Sequence, residues 1–337
     1  MTTSSVLSAA LSATLLTIGI AAAIPAHAAT PSYAIQQRHE LGGEGGWDYL
    51  SLDSASHRLF IARNDRVMVV DANSGKLVGE IPGMQHAHGV ALAAAQHRGY
   101  VSNGKGDNVS VIDLDALKVV GQIPVSGKNP DAIVFDGNSG HVLTMNGRSN
   151  NISVIDPAAG KEVATIALSG KPEFAVVDGK GNLFVNLEDT SQLVHVDLKA
   201  GKVADTWKLA PCDSPSGLAY DAANQRLFSV CDNQLMVVTD ARDGHQVAKL
   251  PIGKGPDAAE FDPQAKLAFS SNSDGTLTVI QQTDADHYTV AANVPTQKGA
   301  RTMALDAQQH RIYLVAANPA AKGAPVTGFT VLVAGAH

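Results

Sequence analysis

One pattern recurs seven times along the chain, with successive copies beginning 40 to 44 residues apart. The clearest copy runs from Tyr100 to Asp136, and another follows from Leu143 to Asp178. A repeat of this length is one structural unit that cannot bury its apolar face alone, so neighbouring units must stack. The repeat therefore determines the architecture, and it separates residues that every unit shares from those that only one unit carries.

Each unit contains four short strand patterns bounded by Gly, Asn and Asp turns. In the third unit these are Asp131–Asp136, Val142–Asn146, Ile152–Asp156 and Glu162–Leu168. Alternating, β-branched runs of this length are typical of strands. We therefore predict an all-β chain that forms a seven-bladed β-propeller with four antiparallel strands per blade.

The last unit contains only three strand patterns, beginning at Arg301, Arg311 and Gly328. We expect Tyr33–Leu41 to supply the missing outer strand. Pairing the N-terminal strand with the last blade closes the ring and removes an exposed sheet edge.

Several elements in and around the copy from Tyr100 to Asp136 resemble the YVTN-type β-propeller repeat of exported YncE-like proteins. They are Tyr100–Asn103, Ser110–Asp113, Lys118–Val120 and Pro130–Ala132. The resemblance covers nearly the whole chain after the leader and implies the fold. It is weakly specific for function, because related propellers include binding proteins and enzymes.

The same resemblance raises single-stranded DNA binding. Such binding needs a positive groove with stacking aromatic side chains. This chain has a net charge of −7 and only 5% aromatic residues. Composition therefore argues against a nucleic-acid partner.

An apolar run from Val6 to Ile24 precedes the small-residue sequence Ala26-His27-Ala28. This predicts a secretory signal peptide over residues 1–28 and a single propeller domain over residues 29–337. The segment before the run lacks Lys and Arg, so an uncleaved membrane anchor is the alternative. We expect a periplasmic monomer with no membrane span once the leader is removed.

The chain has only two cysteines, Cys212 and Cys231. In an oxidising compartment such a pair predicts a disulfide. A reactive thiol or a soft-metal site is the alternative.

Many acidic residues and histidines belong to the repeat rather than to a site. Asp residues recur at the turn after the first strand and after the third, where a carboxylate can hydrogen-bond the turn backbone. The eleven are Asp53, Asp71, Asp113, Asp136, Asp156, Asp178, Asp197, Asp221, Asp240, Asp262 and Asp306. His57, His97, His141 and His310 also fall at the first turn in different blades, too far apart to share a metal ion.

The first residue of the innermost strand differs in chemistry from blade to blade. In blade order this ring, which we call the collar, is Asp48, His88, Asp131, Glu173, Ser216, Asp257 and Arg301. In a propeller these positions surround the mouth of the central channel. Four acids against one arginine make the collar net negative.

Counting back from each turn predicts the residues that lie opposite the collar on the second strand. This register places Arg63 opposite Asp48, Asn103 opposite His88, Asn146 opposite Asp131, Cys231 opposite Ser216 and Ser271 opposite Asp257.

The collar predicts a binding site for a small molecule, a metal ion or an envelope protein. The candidate ligand-binding residues are Asp48, His88, Asp131, Glu173, Asp257 and Arg301, with Arg63, Asn103 and Asn146. Among them, His88, Asp131 and Glu173 are candidate ligands of a divalent cation, because such ions accept mixed histidine and carboxylate ligands.

Two other interpretations of the collar stay open. A bound ion could activate water, which would make the protein a metal-assisted hydrolase, lactonase or lyase. Alternatively the charges only form structural salt bridges, with Arg301 neutralising Asp257 and Asp48. The lysines that precede several collar residues, Lys171 among them, could steer an anionic ligand toward the same face.

Overall fold

The computed structural model describes residues 1–5, 32–318 and 326–336. The chain divides into two units, Met1–Thr30 and Pro31–His337. The predicted signal peptide lies outside the described residues apart from its first five. Within the described ranges, no helix combines the length and apolar character needed to cross a membrane.

The second unit begins with β1 (Tyr33–Glu40), which belongs to the last blade. Blade one then contains β2 (Leu50–Asp53), β3 (Arg58–Ala62), β4 (Asn64–Asp71) and the first part of β5 (Leu77–Ala93). Blade two contains the second part of β5, the short 3₁₀ helix Ala94–Gln96, β6 (Arg98–Asn103), β7 (Asn108–Asp113) and β8 (Lys118–Pro124). Blade three contains β9 (Pro130–Asp136), β10 (His141–Asn146), β11 (Asn151–Asp156) and β12 (Lys161–Ala167).

The remaining blades repeat this order. Blade four contains β13 (Pro172–Val177), β14 (Asn182–Leu187), β15 (Gln192–Asp197) and β16 (Lys202–Lys208). Blade five contains β17 (Pro215–Asp221), β18 (Arg226–Cys231), β19 (Leu235–Asp240) and β20 (Gln246–Pro251). Blade six contains β21 (Pro256–Asp262), β22 (Leu267–Asn272), β23 (Thr276–Gln282) and β24 (Tyr288–Pro295). Blade seven contains β25 (Met303–Asp306), β26 (Arg311–Ala316) and β27 (Thr330–Ala336).

Seven blades are formed by six sheets, because β5 belongs to two of them. Its first part pairs with β4 from Leu77 to Pro82, and its second part pairs with β6 from Ala87 to Ala93. Blades one and two therefore share one seven-stranded sheet, and every other blade is a separate four-stranded sheet. The predicted all-β, seven-bladed propeller is confirmed.

The ring closes as the sequence predicts. Strand β1 pairs antiparallel with β27 and becomes the outer strand of blade seven. The pairing runs from Tyr33 opposite Ala336 to Glu40 opposite Thr330. The Tyr33 ring also packs edge-on against Phe269 of blade six, with ring centroids 5.2 Å apart.

Apolar side chains fill the spaces between the faces of adjacent blades. One such cluster joins Phe60 and Ile81 of blade one to Val101 and Ile112 of blade two, all of them buried. This arrangement follows from the period-two alternation of each strand, which gives every sheet two partly apolar faces. Packing between blades thus stabilises the ring and fixes the innermost strands around the channel.

The recurring turn aspartates cap turns, as their spacing predicts. In each of the eleven a side-chain oxygen accepts a hydrogen bond from a backbone N–H two to four residues further on. Asp136, for example, accepts from the N–H groups of Asn138 and Ser139. These carboxylates belong to the scaffold.

In blades two, three, five and six the predicted register at the collar was wrong by about one residue, because a β-bulge recurs at the start of the innermost strand. Asn103 pairs with Ala87 rather than His88, and Asn146 pairs with Pro130 rather than Asp131. The shifts after Pro215 and Pro256 likewise place Cys231 opposite Pro215 and Ser271 opposite Ala258. A bulge leaves its extra residue outside the ladder and changes the direction of its side chain. The collar residues of blades two to six occupy these bulges.

Candidate functional site

Hydrogen bonds between neighbouring blades hold the collar backbone in place. The Ser102 hydroxyl of blade two donates to the Asp131 carbonyl of blade three at 2.5 Å. Across the ring closure, the Thr302 hydroxyl donates to the Asp48 carbonyl at 2.9 Å. Because each blade fixes the next, the seven collar side chains start from a rigid frame.

His88 bridges two acidic collar residues. Its Nδ1 lies 2.7 Å from Asp48 Oδ2 and 3.3 Å from Asp131 Oδ1. Burial disfavours the imidazolium, but the hydrogen bond to Asp48 and the charges of Asp131 and Asp48 outweigh it and raise the His88 pKa. The imidazolium therefore sits where a cation would be shared by both carboxylates.

The other side of the His88 ring is packed closely. Its Nε2 is buried and has no hydrogen-bond partner among the described residues. A Cβ on Gly104 would lie 2.5 Å from this nitrogen, so only glycine leaves room for the ring. His86 stacks on His88 with centroids 4.7 Å apart, and its pKa is lowered by burial and by the neighbouring imidazole. Packing thus fixes the direction in which Nδ1 points.

Arg301 joins the last blade to the first. Its Nε donates to Asp257 Oδ2 at 2.6 Å, and its Nη2 lies 3.5 Å from Asp48 Oδ1. Burial nevertheless raises the Asp257 pKa to about 7, against the opposing charge of Arg301. One arginine does not fully compensate the acids on this side of the collar.

Glu173 is held by a lysine rather than by His88. Its Oε2 lies 3.2 Å from Lys171 Nζ, within ion-pair range, and Lys171 also pairs with Glu188. Burial and the Asp131 charge raise the Glu173 pKa to about 8. Burial likewise raises the Asp131 pKa to about 6, although His88 opposes the shift. The collar therefore holds more carboxylates than its cations can neutralise.

The donor atoms of Asp48, His88 and Asp131 lie within 4.8 Å of one another, close enough to hold one metal ion. Of the predicted metal ligands His88, Asp131 and Glu173, this group includes the first two. Asp48 completes it because blades one and two are consecutive, whereas Glu173 pairs with Lys171. Three protein donors would leave coordination positions open to water or substrate.

A second acidic group, Asp240, Asp243 and His245, has donor atoms at a similar spacing. Asp240 is fully buried and already pairs with Arg226 at 2.7 Å and with Arg242. These guanidinium groups occupy its oxygens, so this group serves as a structural ion pair.

Two aromatic rings form the floor of the collar. Tyr49 follows Asp48 in blade one, and Phe174 follows Glu173 in blade four. Their ring centroids are 4.9 Å apart, so side chains from distant blades meet inside the channel. We call this pair the aromatic plug. Burial, followed by the charges of Asp257, Glu173, Asp48 and Asp131, raises the Tyr49 pKa well above its usual value.

Arg63, Asn103 and Asn146 belong to the scaffold and not to the collar. Arg63 is buried, donates to the carbonyls of Gly46 and Glu44 at 3.0 Å, and stacks its guanidinium over the Phe329 ring. Burial lowers its pKa to about 10. Both asparagines are buried and donate to an Asn and a Ser on the third strand of their own blade. Hydrogen bonds within the protein occupy all three side chains, and their role in ligand binding stays a prediction.

The remaining collar position carries structural contacts. The Ser216 hydroxyl donates to the Pro256 carbonyl of blade six at 3.0 Å. Cys212 and Cys231 form a disulfide, with Cα atoms 5.4 Å apart. It ties the loop before Ser216 to the end of β18.

Sequence reasoning missed Tyr49, Gly104 and Glu188. Tyr49 could have been found, because it is the largest residue at the second position of the innermost strand in the aligned repeats. Gly104 and Glu188 gave no comparable signal, since each acts through a contact between loops of different blades or strands.

Comparison with known proteins supports the architecture alone. Neither a protein-family model nor a curated protein sequence matches the chain. Many solved structures are similar in fold, and two of them illustrate the likeness. A chain of the Kuenenia stuttgartiensis hydrazine synthase shares 18% identity at a TM-score of 0.72, covering 80% of this chain and 92% of that chain. A chain of the mitotic checkpoint complex shares 13% identity at a TM-score of 0.75, covering 94% and 98%. The chain is a β-propeller. At these identities the likeness extends to the fold and not to the chemistry.

Proposed function

We propose that this protein is an exported binding protein whose collar takes a divalent metal ion. The observation that carries the proposal is the convergence of Asp48, His88 and Asp131 donor atoms within 4.8 Å. Imidazole and carboxylate ligands together suit zinc and manganese better than they suit magnesium. Export rests on the apolar leader and on the resemblance to YncE-like proteins.

The charge balance of the collar supports a cationic ligand. Asp131, Glu173 and Asp257 all have raised pKa values, so each is destabilised as an anion in the protein alone. A divalent cation would stabilise their charged forms. The same negative field repels phosphate groups, so the proposal does not include a nucleic-acid ligand.

Metal binding at this site requires removal of a proton. His88 Nδ1 lies between Asp48 and Asp131, which favour its protonated form, and a nitrogen that binds a metal ion must be deprotonated. Affinity for the ion should therefore rise with pH as the imidazolium loses its proton.

The test is a thermal shift and calorimetric titration with Mn²⁺, Zn²⁺ and Ca²⁺ after treatment with a chelator. We expect Mn²⁺ or Zn²⁺ to stabilise the wild-type protein, by about 2.7 kcal/mol when the free ion is at about 100 times its Kd. Asp131→Asn should remove most of this effect. The control Asp115→Asn changes an exposed aspartate outside the collar and should keep it. Equal responses from both variants, or no response from wild type, would refute the metal site.

A second candidate function, acid–base catalysis in a hydrolase or lyase, is favoured by a separate observation. Asp131 and Glu173 are neighbouring carboxyls whose pKa values are raised to about 6 and about 8, so near neutral pH one is mostly ionised and the other mostly protonated. Such a pair can supply a base and an acid. Screening lactone and ester substrates against wild type and Glu173→Gln tests this. Activity that survives the substitution unchanged would exclude the role of Glu173.

A further inference from the structure

A separate cavity lies inside the channel, beyond the aromatic plug. Its volume is about 430 Å³, within the range of small-molecule sites. Phe174 of the plug contributes to its wall, whereas the collar residues and Tyr49 do not. The cavity is open to solvent, so its ligand need not pass through the collar.

Most side chains that line this cavity are apolar, and backbone groups of the innermost strands supply polar surface between them. It comes from the innermost strands of six blades and includes Val134, Val176 and Leu218. Four aromatic residues also line it: Phe135, Phe174, Tyr220 and Phe261. Such a surface suits the hydrocarbon body of a ligand.

One carboxylate interrupts the apolar wall. Glu260 occupies the fourth position of the innermost strand in blade six, where the other six blades carry Ser, Ala or Val. It is the only acidic or basic residue among those that line the cavity. Within the described parts of the chain no hydrogen bond or ion pair reaches its side chain.

Glu260 is half-buried and has no charged partner among the described residues. Burial raises its pKa to about 7, with no neighbouring charge contributing. Partial burial of a carboxylate without a partner is unfavourable, and a directly bound cation offsets that cost. A repeat that places Ser, Ala or Val at this position elsewhere gives no structural reason for a glutamate.

We propose that this cavity is a binding site for a small arylalkyl ammonium compound, whose ammonium group donates to Glu260 and whose ring packs among the aromatic wall residues. A metal ion does not fit, because one carboxylate provides too few oxygen ligands. A neutral apolar molecule would leave Glu260 unpaired. The aromatic faces add cation–π attraction for a group with a positive charge.

This site is independent of the metal proposed at the collar. The plug of Tyr49 and Phe174 separates the two, and they share no charged residue. Substitutions can therefore distinguish them.

The test uses 2-phenylethylammonium and its neutral analogue 2-phenylethanol, titrated by calorimetry into the full-length protein. At about pH 8 the amine is protonated and Glu260, with a pKa of about 7, is mostly ionised. We expect the ammonium compound to bind wild type at least about tenfold more tightly than the alcohol, since hydrogen bonds to charged groups carry that much selectivity.

Glu260→Gln should abolish this preference while keeping the shape of the side chain. Glu40→Gln, an exposed substitution on β1, should bind like wild type. Asp131→Asn should also bind like wild type, because it alters only the collar. The thermal midpoint of each variant shows whether it is folded.

Three outcomes would overturn the proposal. The first is no binding of the amine at millimolar concentration, and the second is equal binding of amine and alcohol. The third is loss of binding in Asp131→Asn with retention in Glu260→Gln, which would move the amine to the collar.

Discussion

The rings of Tyr49 and Phe174 meet inside the channel at a centroid distance of 4.9 Å, although they come from blades one and four. This contact spans the ring of innermost strands and divides its interior. Charged groups lie on one side and the apolar cavity lies on the other. The protein therefore offers two chemically different environments within a single channel.

If the plug is a direct contact, its two members should be energetically coupled. Tyr49→Ala and Phe174→Ala should each lower the free energy of unfolding by about 2–4 kcal/mol, because each leaves a void. Together they should lower it by about 0.5–1.5 kcal/mol less than the sum, as expected for an aromatic pair. Chemical denaturation of the four proteins measures this difference. Additivity within about 0.3 kcal/mol would show that the rings do not interact.

The free energy of unfolding should fall as the pH rises from about 6 to about 8. Glu173 and Asp257 have folded-state pKa values of about 8 and about 7, against 4.5 and 3.8 for the free groups. At a pH between the free value and the folded-state value of each carboxyl, the folded state binds more protons than the unfolded state. Stability therefore falls as the pH rises through this range. The raised His88 pKa acts in the same direction. In the presence of a chelator, we expect the protein to be about 1–3 kcal/mol more stable at about pH 6 than at about pH 8.

A matched variant identifies the groups responsible for this pH dependence. Glu173→Gln cannot ionise, so its denaturation midpoint should change less between the two pH values. Glu40→Gln, at an exposed position of β1, should follow wild type. A wild-type protein that gains stability toward pH 8 contradicts the raised pKa values.

Gly104 should control the geometry of His88. In Gly104→Ala the new Cβ would approach His88 Nε2 to 2.5 Å and Asn129 Oδ1 to 3.0 Å. The ring must then move away from Asp48 and Asp131, which lowers the His88 pKa and costs about 1–3 kcal/mol of stability. NMR titration of the histidine ring protons measures the first effect. Gly137→Ala has nothing within 4 Å of its Cβ and serves as the control, so equal effects would contradict this role of Gly104.

The disulfide should stabilise the fold by the amount expected from the length of the loop that it closes. Cys212 and Cys231 are 19 residues apart, for which loop closure predicts about 3 kcal/mol. Reduction should therefore lower the midpoint of urea unfolding. A Cys212→Ala, Cys231→Ala double variant should be insensitive to reductant. An unchanged wild-type midpoint would show that the bond contributes no stability.

The sequence predicted most of the fold because the fold repeats. Seven aligned copies identified the blades, the strand that closes the ring and the aspartates that cap the turns. These features depend on local chemistry and on a simple requirement to bury sheet faces. Local patterns of this kind are visible in a single chain.

The site was harder to predict because it depends on small departures from the repeat. The collar positions themselves followed from the alignment, but the β-bulge moved Asn103 and Asn146 out of register with His88 and Asp131. Contact between consecutive blades puts Asp48 beside His88, and Glu173 pairs with Lys171, two residues before it. Which of several nearby charged residues pair with each other can be seen only in the three-dimensional arrangement.

Glu260 shows what the alignment could have provided. Its position in the repeat is otherwise occupied by small or β-branched residues, so a charged side chain there stands out. Several acids cluster at the first position of the innermost strands, and they make a single acid at the fourth position less conspicuous. A single charged residue at a repeat position that is otherwise uncharged indicates a binding site more strongly than one charged residue within a charged cluster.

The pairing of β1 with β27 has a consequence for biosynthesis. Residues near both ends of the chain must meet before blade seven is complete. Strand β27 follows every other strand of the ring in the chain, so the ring cannot close until β27 has left the ribosome, and contacts of such long sequence separation form slowly. The nascent propeller therefore keeps an open edge at β1 until its last strand is available to pair with it.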